Sequence, residues 1–500
     1  MNEQSVIACR QTPLSRLEEL VKYVILLMKQ GWNHEYNTRP FFREECFFIL
    51  FLHHTRIGRR IRSVHHDEKN KIGLTVALSI VVGTIIGSGV FMKPGSVLDY
   101  SGSSNMAILA WVVGGLLTLA SGLTVAEIGA QIPKNGGLYT YLEEIYGSFW
   151  GYLSGWMQTI VYGPAIIGTL GLYFSSLMIN FFYLDKVWNL PIAIGTVVFL
   201  GVVNSMGTKY GGIVQTITTF GKMIPIVLIV VLGFWKGNSD IFNVVVPLSE
   251  NQSIGMAILA TLFAYDGWIL LASIGGEMKN PTKLLPKAMT VGILIVTVAY
   301  VLINLALLKV LPAAKIVDLG ENATATAASM LLGEYGGKII SIGIIISIFG
   351  CLNGKILTFP RIPMSMAERG QLPFSKFIAK AHEKFKTPAN AITFEIILGI
   401  ILMIMSDPNK LSEISVFIIY IFYVMTFIGV FILRKRNEGK ERAYSVPLFP
   451  IVPIVAILGS LFVIGSAIIN DWKSCFLSIG MVFTGLPVYW YLNKKKETQS

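Results

Sequence analysis

The sequence predicts an all-α membrane protein of about twelve transmembrane helices, arranged as two inverted five-helix repeats with broken first and sixth helices plus two accessory helices. Three observations carry that expectation. Of the 500 residues, 53% are hydrophobic and 14% charged, and the mean hydropathy of +0.63 lies far above that of soluble domains. Apolar runs separated by short polar connections fall near 72–97, 105–130, 146–182, 189–206, 212–236, 254–278, 284–312, 338–360, 389–406, 411–433, 450–470 and 474–492. Two of these runs are interrupted by glycine-bearing polar stretches, and each interrupted run opens a block of five hydrophobic segments.

Residues 1–70 mix charge with two apolar pieces, 21–28 and 47–52, too short to span a bilayer. They carry no signal-peptide pattern and read as a cytoplasmic N-terminal extension that does no transport work. No methionine occurs between Met28 and Met92, so the working protein is expected to start near Val64. The remaining divisions are 71–236 for the first repeat, 254–433 for the second, 450–492 for the accessory helices and 493–500 for a cytoplasmic tail.

The first break is Gly83-Thr84-Ile85-Ile86-Gly87-Ser88-Gly89. Glycine weakens a helix by roughly 1 kcal/mol each, and unwound backbone at bilayer depth survives only where it lines a cavity or binds something. Gly87, Ser88 and Gly89 would begin an outer half-helix whose amides attract an anion. An inner half ending near Thr84 and Ile85 offers carbonyls to an ammonium, so one break suits a zwitterion. The Gly83–Gly87 spacing equally fits close helix packing, and both readings stay open for this break alone.

Between the second and third spans, residues 131–141 carry Pro133, Asn135, Gly136 and Gly137 and read as either a connecting loop or a cytoplasmic gate. Lys222 lies about ten residues into the fifth span, roughly 15 Å of helix from its start, too deep for easy snorkelling. A buried cation with carbonyl or carboxylate partners is the favoured reading. The second break, Phe263-Ala264-Tyr265-Asp266-Gly267-Trp268, sets a carboxylate at membrane depth. Paired broken helices hold substrate near the midplane, so residues of the second break, Tyr265 among them, are expected beside Thr84, Ile85, Gly87, Ser88 and Gly89. Lys222 and Asp266 are the gating and coupling candidates that the sequence itself offers. The stretch 351–355, with Asn353 and Lys355, adds polar groups facing the pathway, and Asn322-Ala323-Thr324 matches a glycosylation acceptor.

Charge sets orientation. The arginines and lysines concentrate in alternate connections, including 56–71, 361–386, 434–442 and 494–496, whereas the opposite set holds only scattered lysines such as Lys186, Lys410 and Lys473. Both termini are therefore expected in the cytoplasm of a multi-pass cell-membrane protein. The net charge of +12 is spread over loops and gives no nucleic-acid face. Four cysteines without metal spacing and six histidines outside the spans point away from metals, cofactors and catalysis. A channel would need a continuous polar lining in place of two isolated breaks.

Residues 83–89, the run from Ala126-Glu127-Ile128-Gly129 to Gly136-Gly137-Leu138-Tyr139, residues 263–268 and Ser365-Met366-Ala367-Glu368-Arg369-Gly370-Gln371-Leu372-Pro373 together resemble the L-type amino acid transporters of the amino acid-polyamine-organocation superfamily, over about 70–495. Within it the chain is most similar to the bacterial serine/threonine exchange group. The resemblance implies sodium-independent exchange of small neutral amino acids by alternating access, with a proton-coupled permease or a transporter-like nutrient sensor as alternatives. It implies an α-carboxylate on the amides of Gly87, Ser88 and Gly89, and an α-amino group on carbonyls near Thr84, Ile85, Phe263 and Ala264. It also implies that Phe263 gates the outer side and that Lys222 reaches toward the first and eighth helices. Eukaryotic members pair with a glycoprotein through a cysteine between the third and fourth helices; residues 183–190 contain none, so no disulfide-linked heavy subunit is expected.

Overall fold

The first apolar run folds as three pieces: α1 (Leu74–Ile85), α2 (Gly89–Met92) and α3 (Pro94–Ser101). The computed structural model describes residues 73–497 apart from Asn135, Asn243, 245–251, Ile274, Gly276, Glu277 and Lys386; the expectations for 1–70 and for Val64 lie outside the described residues. The α1 ladder runs on to the Ile86 amide, which donates to the Val82 carbonyl at 2.9 Å, and Ile86 then turns extended at ψ 103°. Unwinding is therefore confined to Ile86, Gly87 and Ser88, and Gly83 stays helical although the sequence placed it at the start of the break.

After α4 (Ser104–Gln131) and α5 (Leu138–Tyr146), the long third run is α6 (Ser148–Met157), a π turn at Gln158–Tyr162, and α7 (Gly163–Phe182). Single π turns gather at functional sites, and this one ends on Tyr162, which reaches the second break. Then come α8 (Asn189–Ser205) and α9 (Thr208–Lys236), which carries Lys222. The sixth run is α10 (Ile254–Ala264), a non-helical turn through Tyr265–Ile269, and α11 (Leu270–Ser273). Gly267 sits in that turn at φ 116°, a backbone conformation that side chains other than hydrogen rarely allow.

The second half continues with α12 (Pro281–Val310), α13 (Ala313–Leu319) and α14 (Ala323–Thr358), kinked at Gly333. It is completed by α15 (Arg361–Glu368), α16 (Ser375–Ile378), α17 (Ala389–Met405) and α18 (Pro408–Arg436). Last are α19 (Ile451–Asn470), α20 (Trp472–Phe483) and α21 (Gly485–Glu497). No strand occurs among the described residues.

Nine segments among the described residues are long and apolar enough to cross a bilayer. The other three expected spans are α9, the broken α10–α11 element and the 17-residue α17. In the final two spans only 28% and 22% of the apolar window is buried, so these helices present most of their surface to lipid. By contrast 61% of the first span and 72% of the third are buried, which puts the broken helix inside the bundle.

Where α4 ends, the buried Glu127 carboxylate accepts from Arg434 Nε at 2.8 Å, Arg434 Nη2 at 2.7 Å and the Val446 amide at 2.7 Å. It thereby pins α18 and the following loop to α4. Removing one partner of a buried ion pair costs about 3–5 kcal/mol, so Glu127→Ala is expected to lower the melting temperature of purified protein by several degrees. An unchanged melting temperature would remove Glu127 from the set of stabilising contacts.

Candidate substrate site

Lys222 defines the inner edge of the first break. Its Nζ is fully buried and donates to the Gly83 carbonyl at 2.5 Å and to the Ile86 carbonyl at 2.8 Å. A helix leaves its last carbonyls without intrahelical partners, and an ammonium is the strongest donor available to satisfy them. Lys222 thus binds the end of α1 from across the bundle.

On the other side of the break, Ser88 caps α2, whose first amides have no intrahelical acceptor. The Ser88 hydroxyl is buried and has no hydrogen-bond partner among the described residues. Two close approaches enforce glycine here: a Cβ at Gly89 would lie 2.3 Å from the Ala264 Cα, and one at Gly87 would lie 2.4 Å from Cys351 Sγ.

The breaks meet through Tyr300 on α12, a residue the sequence reading missed. Its hydroxyl lies 3.0 Å from the Ile85 carbonyl and 3.0 Å from the Ala264 carbonyl, one from each break. A hydroxyl carries one proton and can satisfy only one of them at a time, whereas an ammonium brings three donors. Thr84 adds a second link, its hydroxyl lying 2.7 Å from the Ile80 carbonyl and 3.2 Å from that of Gly267. Tyr300 sits in an unbroken apolar run, so neither glycine nor charge signalled it.

Of the residues expected at the site, Thr84, Ile85, Gly87, Ser88, Gly89 and Ala264 all line this junction. Tyr265 also stands at the junction, its ring packed against that of Tyr300 at 4.9 Å between centres, while its hydroxyl donates to the Trp111 carbonyl at 3.0 Å. Phe263, the penultimate residue of α10, is buried with its ring edge-on to Tyr173 at 6.2 Å. Asp266 is held by two partners, Lys355 Nζ at 2.7 Å and the Tyr162 hydroxyl at 2.5 Å. Following α4, the Gly136 amide donates to the Ser273 carbonyl at the end of α11 at 3.1 Å. Thr324 of the glycosylation triplet is buried and donates to the Phe91 carbonyl at 2.8 Å, a packing role.

Paired broken helices that meet within a bundle recur in small-molecule carriers. A sequence profile described as amino acid permease matches residues 72–486. The chain belongs to the amino acid permease family. The permease is 63% identical over 428 residues to the serine/threonine exchanger SteT of Bacillus subtilis (strain 168), covering 86% of this chain and 98% of that protein. It is 32% identical over 439 residues to the large neutral amino acids transporter small subunit 2 of Oryctolagus cuniculus, covering 84% and 80%. It is 31% identical over 433 residues to the Asc-type amino acid transporter 1 of Mus musculus, covering 84% and 81%. These relatives are named as transporters and exchangers, and the permease is a multi-span membrane protein.

Two substitutions separate backbone from side-chain contributions at the junction. Tyr300→Phe deprives both carbonyls of their hydroxyl, a loss of about 1–1.5 kcal/mol that is expected to change the apparent KM for substrate roughly tenfold. Ser88→Ala removes a hydroxyl that bonds to none of the described residues and is expected to leave KM within about a factor of two. Initial rates over a substrate series check both.

Proposed function

We propose that this permease is an antiporter that exchanges small neutral L-amino acids, serine and threonine foremost, across the cell membrane by alternating access and without sodium. The observation that carries the reading is the junction itself. The N-terminal end of α2 at Gly87–Gly89 and the Ile85 and Ala264 carbonyls, which converge on the Tyr300 hydroxyl, together offer a charge pattern that would match an α-carboxylate and an α-ammonium. The identity of 63% to a serine/threonine exchanger supports the same substrate class.

Sodium independence is supported by Lys222. Where freed carbonyls at a broken helix would otherwise attract a metal cation, this chain supplies a fixed ammonium on the carbonyls of Gly83 and Ile86. Phe263, Asp266 and Lys222 act as gating and coupling residues in this proposal. Residues 71–236 and 254–433 form the inverted repeats, and both termini lie in the cytoplasm, as the distribution of arginine and lysine favours. The proposed transporter works without a disulfide-linked heavy subunit, since 183–190 has no cysteine.

Uptake of radiolabelled serine into proteoliposomes tests the proposal. Vesicles preloaded with serine or threonine are expected to take up label many times faster than empty vesicles, equally with choline in place of sodium. Equal uptake into empty vesicles would show a uniporter or channel, and uptake driven by an imposed proton gradient would replace exchange with proton coupling. Binding without uptake would make the chain a sensor.

A further inference from the structure

Lys93, at the joint between α2 and α3, has no part in the substrate junction, yet it is a fully buried cation. Its ammonium donates to Asn409 Oδ1 at 2.8 Å and to Ser412 Oγ at 2.8 Å, both in the first turns of α18. It also lies 5.4 Å from the Phe263 ring centre and 6.0 Å from that of Tyr173. The Tyr173 hydroxyl donates to the same Asn409 oxygen at 2.9 Å. One charge thus joins the outer half of the first helix to α7, to α18 and to the end of α10. These are the elements that must separate if the substrate junction is to open past Phe263. None of Glu321, Glu413 and Asp407 forms an ion pair with it among the described residues: Glu321 accepts from the Ser176 hydroxyl, Glu413 from the Tyr100 hydroxyl and Asp407 from the Asn409 and Lys410 amides.

We propose that Lys93 is the cation of an outer latch: its ammonium docks on the first turns of α18 when the outer side closes, and Ser412 and Asn409 set how readily it undocks. The physical basis is desolvation. A buried ammonium needs its acceptors, whereas the same group in an open, hydrated vestibule does not. Removing an acceptor therefore penalises only the closed state. Removing the charge itself also removes the dependence on the acceptor.

The inference rests on the exchange reading and its orientation, so the parental protein is assayed in the same oriented proteoliposomes; absence of parental exchange refutes that reading, separately from the latch. The measured quantity is the ratio of the serine KM at the outer face to that at the inner face. Ser412→Ala is expected to lower this ratio on the order of tenfold, because an outward-open state becomes more populated. In a Lys93→Met background, Ser412→Ala is expected to leave the ratio unchanged. Asn409→Ala, which removes the ammonium's other acceptor, is expected to shift the ratio in the same direction. It carries the test if Ser412→Ala fails to fold. The proposal is overturned if both KM values change by the same factor, if the ratio rises, or if the shift persists without Lys93.

Discussion

Gly89→Ala is expected to abolish measurable exchange while leaving the protein able to reach the membrane. The added methyl would sit 2.3 Å from the Ala264 Cα, 2.5 Å from its Cβ and 3.1 Å from its backbone nitrogen. Backbone atoms cannot rotate aside, so α2 must move off α10 and carry its amides away from the Ile85 and Ala264 carbonyls. Overpacking of this kind costs about 1–3 kcal/mol, which corresponds to roughly 10–100-fold in affinity before any effect on the opening motion is counted. Gly87→Ala differs in kind, because its obstacle is a side chain, with Cys351 Sγ at 2.4 Å and Cβ at 2.9 Å. Cys351→Ala should therefore recover part of the affinity lost in Gly87→Ala. Ala264→Gly should recover little in Gly89→Ala, since the main chain of residue 264 still stands in the way. Calorimetric titration of the four variants and the parent measures these differences, and equal rescue at both positions would refute the main-chain obstacle as the cause.

Lys222→Ala is expected to slow exchange on the order of 100-fold, with a smaller change in apparent KM and with folded protein retained. The substitution removes two charge-assisted bonds, to Gly83 and Ile86, each worth about 1.5–3 kcal/mol. Those bonds hold the end of α1 in one arrangement, so their loss acts on the balance between states of that half-helix more than on the amides that receive a carboxylate. A purely structural lysine predicts a different pattern, in which the orphaned carbonyls lower the melting temperature and the surviving folded fraction exchanges normally. Initial exchange rates normalised to folded protein, together with melting curves, distinguish the two. Exchange at the parental rate per folded molecule would exclude a coupling role.

Much of the architecture was legible because its causes are local. Hydropathy over some twenty residues marks a membrane span, and glycines at 83, 87, 89 and 267 mark where a helix is weakest. The boundaries of the breaks were less legible. Gly83 stays in α1 because the ladder continues to Ile86 and its own carbonyl is taken by Lys222. The second break begins at Tyr265, after Phe263 and Ala264 have completed α10, and the Ala264 carbonyl is met by Tyr300 from α12. Donors from distant segments thus decide which backbone groups are released and where, and a propensity has no information about them. The same limit applies to Tyr265, whose hydroxyl finds its acceptor, the Trp111 carbonyl, on α4.

By itself, then, the sequence determined the solvent of this protein, its helical multi-span class, the two weak points in its helices and the distance of Lys222 along its helix, since each follows from residue type and chain distance. Only the tertiary structure decided what meets at those points. Tyr300 bridges breaks that lie far apart in the chain, Asp266 is paired with Lys355 and Tyr162, Glu127 is paired with Arg434, and Lys93 is buried against α18. In each case a polar group at bilayer depth must find its partner, and helices packed side by side offer candidates from any part of the chain; which one it finds is set by the rotation and packing of whole helices.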